Sequence, residues 1–490
     1  MNDMTSPHGT AVAHEPDAAE KRFGGIITHS GRLLTAWVGL LLLWAPLPFG
    51  GVTPWALALL QGLAFVAFAL AVWSVERLGD LRPAAAPAAA LLGIALLGFL
   101  QALPWPAGWV GALSPGHADL WRQAAELPGV AAPSSPHLSF APSATRGAAL
   151  TWVAMAAALL AGAAVGRWRV RRRWLLVALG AGALFQIFFG MQQWFARSDV
   201  LWGVKIARAP RLQGTFVNPN HLALFLEMVL PAVLAWAWWA TRQARKETQV
   251  ERKLVLLAPP FLAWLVVFLG LAFTGSRGGL LGAVAGLGVQ VLALAVARRR
   301  WRTAFAGLGV LGAGLAVVAA VGLREGLGRA LETSWEDVAQ GARIQEYAGL
   351  LDLWRRFPVL GTGLGSFRDA FPQVQPLHLE GSWWHAHSDL LEILVTTGLV
   401  GVAVLVAGLW PVPIRLFRVL AGRGRSENRA AALAVLGALA SVVVHEAVDF
   451  GLAMPGNAIL LAILVGAGMT VPAAPTVPAV PVDRGALPQP

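Results

Sequence analysis

The chain has 490 residues, of which 57% are hydrophobic and only 13% are charged, and its mean hydropathy is +0.62. Soluble domains carry about 25% charged residues and about 45–50% apolar residues. This composition therefore excludes a soluble globular enzyme and predicts a protein whose solvent is a lipid bilayer. The chain has no cysteine, so disulfides, thiolate metal sites and cysteine nucleophiles are excluded as well.

Apolar runs long enough to cross a bilayer recur along the whole sequence. A helix needs about 20 apolar residues to cross about 30 Å of hydrocarbon. We therefore predict an all-α polytopic membrane protein with about 12 transmembrane helices and with both ends in the cytoplasm. The predicted spans are residues 33–50, 54–74, 84–103, 148–166, 174–194, 221–240, 254–274, 279–297, 303–322, 389–410, 429–448 and 455–470.

The net charge of +12 is explained by this topology and needs no nucleic-acid partner. Lysine and arginine collect in the short loops that remain in the cytoplasm. When the spans are threaded as above, about 25 basic residues fall inside and about 13 fall outside, which supports the orientation. The inside loops with most of this charge are residues 167–173, 241–253, 298–302 and 415–429.

Three parts of the chain are predicted: a polar cytoplasmic N-terminus (1–32), a transmembrane domain (33–470) and a Pro-rich, disordered cytoplasmic tail (471–490). Loops longer than about 15 residues usually carry structure or function of their own. We therefore expect the chemistry in the long loops on the outside. These periplasmic loops are residues 104–147, 195–220 and 323–386.

The last of these loops contains a predicted amphipathic helix. Apolar residues recur in it at helical spacing with charged residues between them, which is typical of a helix that lies on a membrane surface or caps a bundle. The helix is expected to stop at Pro358, before a tight turn at residues 361–367. The apolar positions are Ile344, Tyr347, Leu350, Leu351, Trp354 and Phe357.

The segment RLQGTFVNPNHLA, residues 211–223, leads into the sixth predicted span. It places Arg211 near Asn218, Asn220 and His221 at a helix start, where free backbone N–H groups also point outward. A cation, amides and N–H groups together suit an anionic, oxygen-rich ligand. The alternative is an Asn-Pro-Asn helix cap with an arginine at the lipid headgroups.

The segment FTGSRGGLLG, residues 273–282, turns between two spans and holds Arg277 in the turn. Glycines allow close approach of the backbone. A guanidinium held in a short turn is a bidentate phosphate donor. Binding to lipid headgroups is again the alternative.

The segment WWHAHSDLLEILVTTGLVG begins at Trp383. His385 and His387 are two residues apart, so in an extended stretch they point the same way, and Asp389 and Glu392 begin the next helix. A neutral histidine beside a carboxylate is typical of a general base. A zinc site would need a third ligand, and the His-Glu-x-x-His spacing is absent. The tryptophans suit sugar stacking or a membrane-interface belt.

A fourth polar segment, residues 443–458, lies between the last two spans and contains His445, Glu446, Asp449 and Asn457. Ionisable groups at membrane depth are costly and are usually functional or mutually paired. Both a structural polar clamp and a substrate contact therefore remain open for this segment.

These motifs, in this order, resemble the O-antigen ligase and polysaccharide polymerase superfamily of bacterial membrane glycosyltransferases. The resemblance runs from about Arg211 to Gly401. It departs from the family at Ser388, where members often have Asn, and the loop 104–147 is not part of the shared core. The motifs are RLQGTFVNPNH from Arg211, TGSRG from Thr274, the turn at 358–365, and HSDLLE from His387 with Gly398 and Gly401.

The resemblance implies a fold similar to C-type glycosyltransferases, with a long helical periplasmic loop, in the bacterial inner membrane. Such enzymes take glycan from an undecaprenyl-pyrophosphate carrier at the periplasmic face. They pass it to an acceptor hydroxyl on lipid A core or on a second lipid-linked glycan, as lipopolysaccharide or exopolysaccharide biosynthesis requires. The resemblance implies no cofactor, nucleotide sugar or metal.

Residue roles follow from this implied reaction. Arg211 and Arg277 are expected to bind the pyrophosphate, with Arg343 or Arg208 in support. His387 is expected to act as the base or to orient the acceptor, in a reaction that inverts the anomeric centre. His385 is the second candidate for that role. The further residues expected to bind substrate are Asn218, Asn220, His385, Trp384 and Asp389.

A polysaccharide or lipid-linked oligosaccharide transporter, such as a flippase, is the alternative function. Transporters tend to place charge near the midplane on interrupted helices, often in two related halves. Here the first half of the chain, up to about Arg173, is poor in such charge, and no repeat relates the halves. The sequence therefore favours the enzyme.

Overall fold

The computed structural model describes residues 26–129, 136–206, 211–299, 301–302, 309, 312, 342–376 and 381–473. Its first helices are α1 (Ile26–Trp44), α2 (Pro54–Ser74), α3 (Ala85–Gln101), α4 (Ala107–Leu113), α5 (Pro115–Ala125), α6 (Pro142–Gly166) and α7 (Arg169–Phe195). A two-stranded hairpin, β1 (Val200–Leu201) and β2 (Val204–Lys205), follows. The later helices are α8 (Pro219–Ala244), α9 (Val250–Phe273), α10 (Arg277–Arg298), α11 (Ala342–Arg356), α12 (Phe367–Ala370), α13 (Asp389–Leu409), α14 (Pro411–Ala421), α15 (Ser426–Glu446) and α16 (Pro455–Met469).

The all-α polytopic membrane fold is confirmed. In the described part of the chain, nine helical segments are long and apolar enough to cross a membrane, and α16 is a shorter apolar helix. Each predicted span has a helix at its position except 303–322, of which only residues 309 and 312 are described. Most of the two termini lies outside the described residues as well. Helix α1 begins at Ile26 rather than at residue 33, because the helix also includes the polar residues around Arg32 that precede the apolar run.

Small residues allow the central helices to pack at backbone distance. Gly162 and Gly166 of α6 lie against the backbone of α16 at Ile463 and Ala467, and neither position has room for a Cβ atom. Lipid is as apolar as a leucine side chain, so close van der Waals packing at small residues is a main source of helix association in membranes. This packing holds α16 in the centre of the bundle.

The arginine-rich loops meet at one end of the bundle, here named the basic end. Arg167 forms an ion pair of 2.7 Å with Asp80, and Arg173 contacts Glu427. Arg298 donates to the carbonyl oxygen of Leu420 at 2.9 Å. The predicted inside loops 167–173 and 415–429 are therefore neighbours in space.

The remaining polar segments meet at the opposite end, here named the loop end. Arg211 donates to the Gly275 carbonyl, Asn220 donates to Asp449, and the Asp389 N–H donates to the Asp449 carbonyl. All four polar segments singled out in the sequence contribute to these contacts. This grouping is consistent with the predicted topology, in which all four polar segments lie on one side of the membrane.

Helix α13 is broken at Gly398, which has φ 62° and ψ −166°. The turn before α12 fills the break: the N–H groups of Thr362 and Gly363 donate to the carbonyls of Val395 and Thr396, 2.9 and 3.0 Å away. Backbone groups at membrane depth need such partners because the hydrocarbon offers none. The predicted span 389–410 is thus two half-helices, and its first half carries the polar start of α13.

Gln101 at the end of α3 completes this junction. Its side-chain amide donates to the carbonyls of Leu360 and Thr396 and accepts from the N–H of Leu364, at 2.6, 3.0 and 2.9 Å. A single buried side chain therefore connects α3, the turn and the break in α13.

Helix α11 caps the bundle, as one of the two predicted interpretations proposed. Leu350, Leu353 and Phe357 are buried on its inner face with Phe367 and Phe371. The predicted apolar face is wrong at Leu351, which is 41% exposed. Leu353 takes the inward position because buried residues follow the 350, 353, 357 spacing of a regular helix.

The long loop 104–147 packs onto the end of α11. Its α5 carries His117, whose ring lies edge-on to Phe357 with centroids 4.7 Å apart. The N–H of Phe140 donates to the Thr362 carbonyl at 3.0 Å. This loop therefore helps to fix the turn that fills the break in α13.

The sidedness of the two ends is testable because the chain has no cysteine. We expect a cysteine at exposed Ser382, at the loop end, to react with a membrane-impermeant maleimide in intact cells. A cysteine at exposed Thr248, at the basic end, should react only after lysis, since that loop is predicted to be cytoplasmic. The reverse labelling pattern would invert the topology.

Candidate functional site

The first, third and fourth polar segments meet around the ring of Phe450. The rings of His221, His385 and His387 each lie with centroids 5.0 Å from the Phe450 centroid. His385 stacks on this ring at 19°, whereas His387 meets it edge-on at 89°. The loop end therefore holds three imidazoles around one apolar ring, which we name the histidine cluster.

His387 is held by a buried carboxylate of α11. Its Nδ1 lies 3.1 Å from Oε2 of Glu346, whose side chain has 0% exposure, while the His387 side chain keeps 26%. The Tyr347 hydroxyl donates to the His387 carbonyl at 3.1 Å. His387 also has φ 43°, so the stretch is not regularly extended as expected, although both of its histidines contact Phe450.

Ser388 explains how α13 starts directly after His387. Its hydroxyl accepts from the N–H of Leu391 at 3.4 Å and caps the helix. Serine and asparagine are among the most favourable N-cap residues. The departure from the family motif at this position therefore exchanges one capping residue for another.

His385 pairs with a different carboxylate, Glu392. Its Nδ1 lies 3.2 and 3.3 Å from the two carboxylate oxygens, and the N–H of Ala386 donates to the same group at 3.0 Å. Burial lowers the pKa of His385, but the hydrogen bond and the charge of Glu392 outweigh burial and raise the pKa above its ordinary value. The two histidines thus have separate carboxylate partners.

Arg211 and Arg277 belong to adjoining turns. The N–H of Leu212 donates to the Phe273 carbonyl at 3.0 Å, and the Arg211 guanidinium donates to the Gly275 carbonyl at 3.3 Å. Ser276 caps α10 by accepting from Gly279, so exposed Arg277 is the first residue of that helix. Arg211 also lines a small open cleft with Gln193, Trp194, Ser198 and Gln213, among others.

Asn218 and Asn220 have protein partners in the structure. Asn218 caps α8 by accepting from the N–H of Asn220 at 2.9 Å, which is the helix-cap interpretation of this motif. The Asn220 amide donates to Asp449 at 2.7 Å, and the buried Asn457 donates to the His221 carbonyl at 3.0 Å. These contacts connect the start of α8 to the loop that carries Phe450.

Asp389 also holds this loop. One of its carboxylate oxygens accepts from the N–H groups of Leu452 and Ala453 at 2.9 and 3.2 Å. The Glu446 carboxylate also accepts from the N–H of Leu452, at 3.2 Å. The fourth segment thus acts as a polar clamp.

Trp384 lies at the outer edge of the site and is 61% exposed. The guanidinium carbon of Arg368 lies 3.7 Å from the centroid of the indole ring, a cation–π contact. Arg208 lies outside the described residues. Arg343 lies in α11, but the structure does not describe its side chain.

Among the residues that the structure describes, no three His, Cys, Asp or Glu side chains are grouped so that they could hold a metal ion. The Phe450 ring occupies the space that His221, His385 and His387 share. His385 is bonded to the carboxylate of Glu392, and His387 is bonded to that of Glu346.

Sequence reasoning missed two partners of the site. Glu346 is one of the charged residues between the apolar positions of the predicted amphipathic helix, yet it is four residues before Leu350 on the buried face of α11. The sequence signal for Glu346 is that it has the same helical spacing as the buried apolar residues of this helix. Glu227, buried in α8, is detectable as a single carboxylate inside an apolar span.

Residues 261–406 match the family described as O-antigen ligase. The matched region includes Arg277, His385 and His387, whereas Arg211 precedes it. No curated protein matches the chain. The family match confirms the resemblance inferred from the motifs. Together with the apolar helices, it indicates a multi-pass membrane enzyme of the glycosyltransferase type.

The pairing of His385 with Glu392 can be tested by histidine NMR. Glu392→Gln should lower the pKa of His385, because burial is then opposed only by the smaller effect of the Asp389 charge. The folded pKa of the wild-type histidine is raised, so its stabilising contribution is present below pH 6.5 and lost as pH rises through the folded pKa.

The melting temperature of wild type should therefore exceed that of Glu392→Gln most at about pH 5–6. The difference should shrink at higher pH. An unchanged His385 titration in the variant would show that the pair does not form in solution.

Proposed function

We propose that the protein transfers glycan from an undecaprenyl-pyrophosphate carrier to an acceptor hydroxyl at the periplasmic face of the bacterial inner membrane. The acceptor is a sugar of lipid A core or of a second carrier-linked glycan, as in an O-antigen ligase or a surface polysaccharide polymerase. The observation that carries the proposal is the bond of half-buried His387 to the buried Glu346 carboxylate, at the same end of the bundle as Arg211 and Arg277.

A lipid pyrophosphate is a good leaving group whose negative charge grows as the glycosidic bond breaks. Rate enhancement requires fixed cations that stabilise this charge in the transition state. Arg211 and Arg277 are proposed for this role, with Arg343 or Arg208 in support. Their adjoining turns are joined by backbone and side-chain hydrogen bonds, so the two arginines start from neighbouring positions on the backbone.

The acceptor hydroxyl must lose its proton as it attacks. If Glu346 is ionised, Nδ1 of His387 carries the hydrogen of their 3.1 Å bond, and the lone pair is then on Nε2. The carboxylate also stabilises the imidazolium that forms when Nε2 accepts the proton. His387 is therefore proposed as the general base, with Glu346 as its orienting partner.

The other substrate-binding candidates divide by exposure. Trp384 and His385 keep exposed surface near His387 and are proposed to contact sugar or phosphate. Asn218, Asn220 and Asp389 have the protein partners described above, so we propose that they position the site. Attack from the side opposite the pyrophosphate inverts the anomeric centre, and no step of this scheme uses a cofactor or a metal.

The arginine assignment predicts a strong loss of activity without a loss of protein. Removing one donor that stabilises transition-state charge costs about 10²–10³-fold in rate. Arg277→Ala and Arg211→Ala should show losses of this order in transfer from a carrier-linked donor. Arg277→Lys should also lose most activity, because the planar fork is lost although the charge remains.

Arg122→Lys is the matched control, since Arg122 is an exposed arginine on α5, paired with Asp119. It should retain full activity. Normal transfer by Arg277→Ala would remove this arginine from the site and favour binding to lipid headgroups.

The histidine assignment predicts a separation of binding from turnover. His387→Ala should lower kcat by about 10²–10⁴-fold with little change in the affinity for the carrier-linked donor, because the arginines remain. Glu346→Ala should also lower kcat, since the imidazole loses its orienting carboxylate, and His385→Ala should have a smaller effect.

His29→Ala, at an exposed histidine of α1, serves as the control and should be fully active. Wild-type turnover by His387→Ala would show that another group deprotonates the acceptor.

A further inference from the structure

A buried pair of ionisable side chains lies next to Arg277 and is not used in the scheme above. Nδ1 of His445 on α15 lies 3.1 Å from Oε2 of Glu227 on α8, and both side chains have 0% exposure. Neither residue lies in the region that matches the family. A substrate cannot reach a pair with no exposed surface, so its role must be exerted through its neighbours.

Those neighbours are the first two turns of α10. A Cβ atom at Gly278 would lie 2.7 Å from Cδ2 of His445, and one at Gly282 would lie 2.6 Å from Oε2 of Glu227. The backbone of α10 therefore rests directly on the pair. Gly278 immediately follows Arg277, which is the first residue of this helix.

We propose that His445 and Glu227 are positioning residues that fix the height and rotation of α10 and thereby direct Arg277 toward the carrier pyrophosphate. The inference rests on the proposed function, because it assumes that Arg277 binds the leaving group. Helices in lipid have no hydrophobic force to hold their register, so polar pairs and close glycine contacts determine it. The pair and the two glycines supply both at the level of Arg277.

A double-mutant cycle on purified protein tests this role. Glu227→Ala should lower kcat/KM for a carrier-linked donor by about 10²-fold, the loss typical of a displaced catalytic group. In an Arg277→Ala background, Glu227→Ala should cause no further loss, because its effect passes through Arg277. Glu227→Gln should stay within about threefold of wild type, since its amide oxygen can replace the carboxylate oxygen that lies 3.1 Å from Nδ1 of His445.

If the losses in kcat/KM of the two single variants multiply in the double variant, the positioning role is overturned. Full activity of Arg277→Ala alone would instead refute the proposed function. Gly282→Ala is a second variant for the same cycle, in case Glu227→Ala fails to fold. It disturbs the contact by adding one methyl group.

Gln290→Leu provides a control deeper in the same helix. Gln290 donates to the carbonyls of Pro231 and Leu433 at 2.8 and 2.9 Å and so also joins α10 to α8 and α15. Its loss should lower the melting temperature and leave kcat/KM within about twofold of wild type. An equal loss of kcat/KM in Gln290→Leu would show that any weakening of α10 has this effect, which would contradict a specific role for the pair.

Discussion

The loop end of this protein depends on one constraint: an ionisable side chain inside a membrane-embedded bundle must have a partner. Burying a polar group away from water without a hydrogen-bond partner costs several kcal/mol. Each polar pair joins elements that are far apart in the sequence, so satisfying the constraint also assembles the site. The pairs are Glu346 with His387, Glu227 with His445, and Asp449 with Asn220.

The same constraint gives two neighbouring histidines different partners. His387 bonds through Nδ1 to the fully buried Glu346 of α11, whereas His385 bonds through Nδ1 to Glu392, whose hydrogen bond and charge raise the pKa of His385. Phe450 lies against both rings and keeps them apart. The two imidazoles therefore belong to separate hydrogen-bonded pairs, although they are two residues apart in the chain.

The spans were predictable because apolar length is a property of the sequence alone, and the helix at residues 54–74 has the predicted bounds. The break at Gly398 was not predictable, because a glycine in an apolar run is compatible with an intact helix. The backbone groups that fill the break come from residues 358–364. The arginine and histidine motifs that the sequence singled out all lie at the loop end. Their carboxylate partner Glu346 and the central Phe450 are set by tertiary packing, which motif spacing does not encode.

The central claim is that this site transfers glycan from a lipid pyrophosphate to a hydroxyl. The most direct measurement uses purified protein in liposomes that contain a carrier-linked glycan and either lipid A core or a second carrier-linked glycan, with chelator present and no nucleotide. The account predicts that free undecaprenyl pyrophosphate appears in equal amount to newly linked glycan. Movement of intact carrier-linked glycan across the bilayer without any transfer would contradict the account and indicate a transporter.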